Sequence, residues 1–295
     1  MTMIFGVPLA VFMGQLMLGL VNGAFYALLS LGLAVIFGLL KIVNFAHGAQ
    51  YMLGAFVALL GFRYLGINYW LALVLVPLVV GAFGVLLERF LLRRIAHLDH
   101  LYGLLLTFGL ALIFEGTLVN FFGVSGARYP TPEILQGGLN LGFMFLPTYR
   151  AWVLVAALAM CLFTWFMIER TRLGAYLRAG TENSQLMQAF GVNVPLLITL
   201  TYGFGVGLAA FAGVLAAPLY PVSPTMGSSL LIVVFAVVVI GGMGSILGAI
   251  ITGLAMGIIE GLTKVYYPEA SNTVIFLVMI LVLMLRPAGL FGKEA

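Results

Sequence analysis

The sequence predicts an all-α fold, a polytopic transmembrane helix bundle of about eight to ten membrane segments, some of them broken or short. Three observations carry this. Of 295 residues, 63% are hydrophobic and only 7% are charged, where a soluble domain carries about 25% charged residues. Apolar runs of spanning length follow one another with little between them. The cations fall in the short gaps between those runs, where orientation in a bilayer puts them. So few charges could not cover a water-facing surface, and residues 1–295 read as one membrane domain with no soluble appendage.

Taken in chain order, the elements follow from the need for about 20 mostly apolar residues per spanning helix. No basic stretch precedes the first apolar run, which argues against a cleaved signal peptide and for a retained first helix. The region 8–64 breaks once, at Lys41-Ile-Val-Asn-Phe-Ala-His-Gly48, and predicts segments near 8–26, 28–41 and 48–64. Spans follow at 70–92 and 101–122, with Arg89, Arg93, Arg94, His97 and His100 in the gap between them. The stretch 123–147 is rich in Gly and Pro, carries Arg128 and Glu133, and reads as a loop. Further spans are expected at 148–168, 194–218 and 272–288. The region 228–262 breaks at Gly241-Gly-Met-Gly-Ser245 into segments near 228–240 and 246–262.

Charge assigns the sides. Arg89–Arg94 with their histidines, Arg170, Arg172 and Arg178, and Arg286 with Lys293 all belong on the cytoplasmic face by the positive-inside rule. Residues 123–147 are then external. The net charge of +4 and pI near 9.3 are thereby explained without nucleic acid. The lone Cys161 lies in an apolar run and allows no disulfide framework.

The 37 glycines lie mostly inside apolar runs. Gly14 and Gly19, Gly203, Gly205 and Gly207, and Gly244, Gly248, Gly253 and Gly257 are examples. Small residues let helix backbones approach closely where lipid supplies no hydrophobic drive. Tight packing explains them, and so would a pathway that must open and close. One glycine-marked break in each half also suits the interrupted helices of inverted-repeat transporters.

The longest polar interruption besides 123–147 is Glu169 to Pro195. Thr181 as N-cap, Glu182 in the first turn, and Leu186, Met187 and Phe190 at helical spacing predict a short amphipathic helix ending at Gly191. It reads either as a plain connector or as a docking element whose apolar side chains enter a groove on another protein.

Four stretches in chain order resemble the branched-chain amino-acid ABC permease family. They are Gly19-Leu-Val-Asn-Gly-Ala-Phe-Tyr-Ala-Leu28 running on to Asn44-Phe-Ala-His-Gly48, then Arg178-Ala179 with Glu182, Ala189 and Gly191-Val-Asn193. Val239-Ile-Gly-Gly-Met-Gly-Ser-Ile-Leu-Gly-Ala249 and Arg286-Pro-Ala-Gly-Leu-Phe-Gly292 complete the set. The resemblance implies a permease in a bacterial or archaeal inner membrane. It implies a second permease subunit, homologous or identical, two ATP-binding cassette ATPase subunits and a solute-binding protein. It implies import of branched-chain or other small amino-acid-like solutes, with relatives serving urea, amides and aromatic acids. It assigns Arg178, Ala179, Glu182, Ala189 and Gly191, in the loop 170–193, to coupling with the ATPase. Where some members carry Glu after the Asn-Phe-Ala-His-Gly stretch, this chain has Ala49-Gln50.

No catalytic constellation and no Gly-x-x-x-x-Gly-Lys-Ser/Thr loop appear, so ATP, the one cofactor implied, belongs to another subunit. Asn22, Asn44, His47 and Gln50, in or beside the broken N-terminal segments, are the candidate translocation path, because irregular backbone at membrane depth survives only within protein or around a cavity. Glu115, deep in the 101–122 run, joins them. Each also suits an interhelical hydrogen bond. Glu260, near the end of its run, could simply reach the interface, and Tyr64, Tyr69, Trp70, Tyr266 and Tyr267 suit an aromatic belt. Two rivals compete. A proton-coupled secondary transporter would use Glu115 or His47, but it leaves 170–193 without a purpose. A lipid-acting membrane enzyme would rest on His97, Asp99 and His100, too few ligands for a metal.

Overall fold

The computed structural model describes residues 3–4, 6–41 and 43–292, so that Ile42 of the N-terminal break and Lys293 of the C-terminal cations lie outside the described residues. Helix α1 is Leu9–Leu40, α2 His47–Leu65 and α3 Tyr69–Leu87, and α3 is prolonged by a π turn, Glu88–Leu92, and a short turn, Arg93–Ile95. Helix α4 is His100–Phe122, α5 Thr148–Glu169, α6 Arg172–Glu182 and α7 Ser184–Ala189. Helix α8 is Val194–Ala216, α9 Met226–Gly241, α10 Ile246–Tyr266 and α11 Val274–Leu285. Among the described residues, six helices are long and apolar enough to cross a membrane, and α9 and α11 are shorter apolar helices. Helix α2, of 19 residues, is less apolar and belongs to neither group; counted with these eight as a membrane segment, it gives nine among the described residues.

Two boundaries differ from expectation. The segments near 8–26 and 28–41 are one helix of 32 residues, about 48 Å long. Ala27 between them is a strong helix former, and no Pro or polar cap interrupts the run. The helix ends where Lys41 turns left-handed at φ 52°. The expected 272–288 span shortens to α11, because Pro268 starts a separate 3-10 turn and Pro287 forbids continuation past Arg286.

The chain divides into two compact units, residues 1–30, 130–161 and 233–295 in one and 31–129 and 162–232 in the other. In the second, α8 packs on α2 and α3 through glycine. A Cβ at Gly54 would come within 2.5 Å of the Ala210 Cα, and one at Gly81 within 2.9 Å of the Gly203 carbonyl. Helix α4 leaves Leu101, Leu105, Leu112 and Ile113 exposed, as lipid contact permits. Outside the helices, Ala127 and Val222 pair in an antiparallel bridge.

In the first unit, α1 and α10 cross at Gly19, Gly23, Gly257 and Gly261. A Cβ on Gly257 would stand 2.3 Å from Gly23. A small hairpin, Gly138–Asn140 with Phe145–Pro147, occupies the expected external loop. The C-terminal stretch folds onto the end of α9. There the Leu290 and Phe291 amides donate to the carbonyls of Ile240 and Gly241 at 2.8 and 3.1 Å. These belong to the last turn of α9, where carbonyls have no partner within the helix.

Candidate translocation path and coupling segment

The N-terminal break is held by side chains that replace the missing helical bonds. The Asn44 Oδ1 accepts from the Ala46 amide at 3.1 Å, and the Asn44 Nδ2 donates to the Gln50 Oε1 at 3.0 Å. The Gln50 Nε2 in turn donates to the Tyr202 hydroxyl on α8 at 3.2 Å. Thr107 of α4 accepts from the Phe45 amide at 3.2 Å, and its own hydroxyl reaches the carbonyls of Val43 and Leu104. Asn44, His47, Gln50, Thr107 and Tyr202 are all buried. His47 packs on Gly32 of α1, where a Cβ would come within 3.0 Å of its ring. Three of the expected path residues, Asn44, His47 and Gln50, therefore share one buried layer of the second unit. Tyr202 and Thr107 belong with them but do not stand out in sequence. The one signal for Tyr202 was a phenol amid the glycines of its helix, Gly203, Gly205 and Gly207.

Asn22 and Glu115 are not in that layer. Asn22 is half-buried on α1 in the other unit. Glu115 is half-buried on α4, and among the described residues no hydrogen bond or ion pair engages it.

Two carboxyl groups are more deeply placed than Glu115. Glu88, in the π turn, is buried and accepts from the Thr199 hydroxyl of α8 at 2.5 Å. Glu260 is buried too, which corrects its reading as an interface residue. The close glycine crossing of α1 and α10 brings the Tyr26 hydroxyl to its Oε2 at 2.6 Å, while Lys264, one turn on, pairs with its Oε1. An ion pair at such depth needs this full set of partners. Of the expected aromatic belt, Tyr64, Tyr266 and Tyr267 are exposed. Tyr69 is instead buried, its ring 5.3 Å from that of Trp70 and 6.4 Å from that of Tyr129. The group His97, Asp99 and His100 forms no metal cluster among the described residues. Asp99 instead caps α4, accepting from the Leu101 amide.

The polar segment 169–195 holds two helices rather than the single one expected. Thr181 is not the cap: its hydroxyl donates back to the Arg178 carbonyl at 2.8 Å, and Glu182 closes α6 rather than opening a helix. Asn183 is the cap of α7, accepting from the Leu186 amide at 2.9 Å. Asparagine accepts at this position at least as well as threonine, and its extended backbone kinks the chain between the helices. Gly191 ends α7 as expected, at φ 82°. The Val192 amide bonds to the Met187 carbonyl and the Gly191 amide to the Gln188 carbonyl, the Schellman pattern that favours glycine.

Arg178 anchors the segment, donating to the Glu169 carboxylate at 3.2 Å and the Ile168 carbonyl at 3.4 Å. Ala179 is half-buried, whereas Glu182, Ala189 and Gly191 are exposed. Exposed with them on α7 and at its end are Leu186 at 51% and Phe190 at 75%, and on α6 Leu173 and Tyr176.

Comparison with known proteins identifies the family of the chain. A family profile described as the branched-chain amino acid transport system / permease component matches residues 15–283. The high-affinity branched-chain amino acid transport system permease protein LivH of Escherichia coli K12 is 32% identical over 301 residues, covering 96% of each chain. The corresponding permease protein BraD of Pseudomonas aeruginosa is 30% identical over 304 residues, again covering 96% of each. LivM of E. coli K12 is 28% identical and matches 90% of this chain and 67% of its own length. Among solved structures, PsaBC from Streptococcus pneumoniae in complex with Fab aligns with a TM-score of 0.46 at 13% identity, over 91% of this chain and 89% of that one. That likeness is too loose to bear on fold or function. The family match spans nearly the whole chain and takes in both the buried Asn44 layer and the exposed α6–α7 segment, so the chain belongs to the branched-chain amino acid transport system permease family.

Proposed function

We propose that this chain is the transmembrane permease subunit of an ATP-driven importer for branched-chain or other small amino-acid-like solutes. Separate ATP-binding cassette subunits hydrolyse the ATP. A second permease, homologous or identical, completes the pathway, and a solute-binding protein delivers the cargo at the outer face of a bacterial or archaeal inner membrane. The relatives' names support the solute class, and the absence of a phosphate loop from the sequence supports a separate ATPase.

The observation in this chain that carries the reading is the α6–α7 segment. It presents Leu186 and Phe190 outward on a short helix fixed at both ends, by Asn183 and by Gly191. An apolar edge held in one geometry transmits displacement, whereas a mobile loop would absorb it. Arg178 ties the segment to the end of α5 through Glu169. Movement of the ATPase would then reach the spanning helices, and Ala179, Glu182 and Ala189 fall within the same contact.

Alternation across the bilayer fits this direction of work. With the 89–100, 170–193 and 286–292 segments cytoplasmic, the nine membrane helices place the N-terminus outside and the C-terminus inside. Stretches assigned to one side then meet: Ala127 with Val222 outside, and the C-terminal stretch with the end of α9 inside. The Asn44–Gln50–Tyr202 layer lies at the break between α1 and α2, where a change of access would hinge. Asn22 and Glu115 line the path separately from it in this reading.

The test is copurification of the tagged chain in a gentle detergent, with Phe190→Asp and Gly191→Val as variants. The wild-type chain is expected to bring down an ATPase carrying a phosphate-binding loop, and both variants to lose it while remaining folded. Solute movement by the chain alone in liposomes without ATP would overturn the reading in favour of a proton-coupled transporter.

A further inference from the structure

The end of α3 and the turn beyond it carry Arg89, Arg93, Arg94, His97 and His100, all exposed. Among the described residues none of the five has an ion-pair partner. Three cations elsewhere are engaged, Arg178 with Glu169, Lys264 with Glu260, and Arg170 over the Trp165 ring at 5.5 Å, whereas the end of α3 gathers several unengaged cations in one short stretch. Two acids do lie in this stretch, yet both are committed away from the arginines. Glu88 is buried against Thr199, and Asp99 accepts from the Leu101 amide. Orientation in the bilayer requires only that the gap be positive. It does not require that each neighbouring acid be turned elsewhere.

Backbone geometry gathers the charge. The π turn, in which the Arg93 amide bonds to the Glu88 carbonyl, carries more residues per turn than an α-helix. Arg89 is thereby brought round toward the side of Arg93 and Arg94, while Glu88 points inward to Thr199. Large apolar side chains are interleaved with these cations, and Leu86, Phe90, Leu98 and Leu101 are all exposed. The patch is thus cationic and apolar at once, at the end of a spanning helix.

We propose that this patch is a binding site for the phosphate headgroup of an anionic membrane lipid. Guanidinium groups offer paired donors to phosphate oxygens. The cytoplasmic leaflet supplies anionic headgroups at this depth, and the interleaved apolar side chains give the acyl chains a continuous surface. A soluble protein domain would match the charge but would leave Phe90 and Leu98 facing a polar surface. Free phosphate would match it without using the apolar side chains at all.

The test uses the full chain in neutral detergent and titrates it with phosphatidylglycerol and with phosphatidylcholine, counting bound lipid by native mass spectrometry. The wild type is expected to prefer phosphatidylglycerol. Replacing all three arginines (Arg89→Gln, Arg93→Gln and Arg94→Gln) is expected to weaken that binding roughly a hundredfold, and each single replacement about fivefold. The single variants decide the matter if the triple one fails to insert. Arg128→Gln, on the external loop, is expected to change nothing, and inorganic phosphate at the same concentration should not displace the lipid. Equal affinity in wild type and arginine variants would overturn the proposal, and so would displacement by inorganic phosphate. Unchanged lipid binding with loss of a copurifying ATPase would also overturn it, reassigning the patch to a protein interface.

Discussion

The Asn44 side chain serves two bonds at the N-terminal break, accepting from Ala46 and donating to Gln50. Asn44→Ala removes both and strands a buried amide, at a cost of about 1–3 kcal/mol. The expected outcome is a clear fall in the midpoint of thermal unfolding in detergent. Tyr202→Phe, which removes the acceptor of the Gln50 amide but leaves the Asn44–Ala46 and Asn44–Gln50 bonds in place, should fall less. Gly191→Ala puts a Cβ on a left-handed residue and should cost about 1–2 kcal/mol. Its first readout is loss of ATPase association, because α7 is only six residues long and its end would fray. Tyr129 gives a pH signature. Its phenol is buried without a hydrogen-bond partner, and burial, followed by the neighbouring Tyr69, pushes its pKa up to about 12. The neutral form is the one the fold favours. This contribution is therefore complete below the unfolded value near 10 and is lost as pH rises through about 12. Tyr129→Phe should show a shallower loss of stability over that window, followed by thermal unfolding at each pH.

Helix α9 ends on borrowed amides. Its last carbonyls are capped by Leu290 and Phe291 of the C-terminal stretch. The fit is so close that a Cβ on Gly289 would lie 2.6 Å from the Gly242 backbone, and Gly289 is itself at φ 81°. We expect Gly289→Ala to release the clasp, read as faster hydrogen exchange at the Leu290 and Phe291 amides with little change at α8. The α1–α10 crossing follows the same logic with higher stakes. Gly257→Leu overpacks a contact where a single Cβ would already stand 2.3 Å from Gly23, and overpacking costs about 1–3 kcal/mol. Because Tyr26 reaches Glu260 across that crossing, the same variant should also break the buried hydrogen bond. An unchanged melting profile would show that the helices need not approach so closely.

Nine membrane helices with three cytoplasmic cationic gaps predict an external N-terminus and an internal C-terminus. Fusion of a reporter active only in the cytoplasm to the C-terminus should be active, and the same reporter placed in the 123–147 loop should not. The opposite result would invert every side assigned above, including that of the α6–α7 segment. The overall class and most spans were legible because lipid imposes one rule, a run of apolar residues long enough to cross. The polar segment 169–195 was legible for the converse reason, since it is a long stretch that breaks that rule and carries turn and cap residues such as Gly191 and Asn193. The buried partners were not. Glu88–Thr199 joins residues 111 apart in sequence and Tyr26–Glu260 residues 234 apart, and no local pattern encodes either pairing.

The sequence by itself determined the solvent, the helical class, the breaks at 41–48 and 241–245 and the polar segment 169–195. Each of these depends on composition and on neighbours a few residues away. Only the tertiary structure decided that 9–40 is one helix, that Asn183 rather than Thr181 starts α7, and that Glu260 is buried while Glu115 is only half so. The helix and the cap were settled by close local competition between neighbouring residues, whereas the burial of Glu260 depends on Tyr26 arriving from 234 residues away. In a membrane protein the glycines settle that, by letting particular helices approach until their backbones touch.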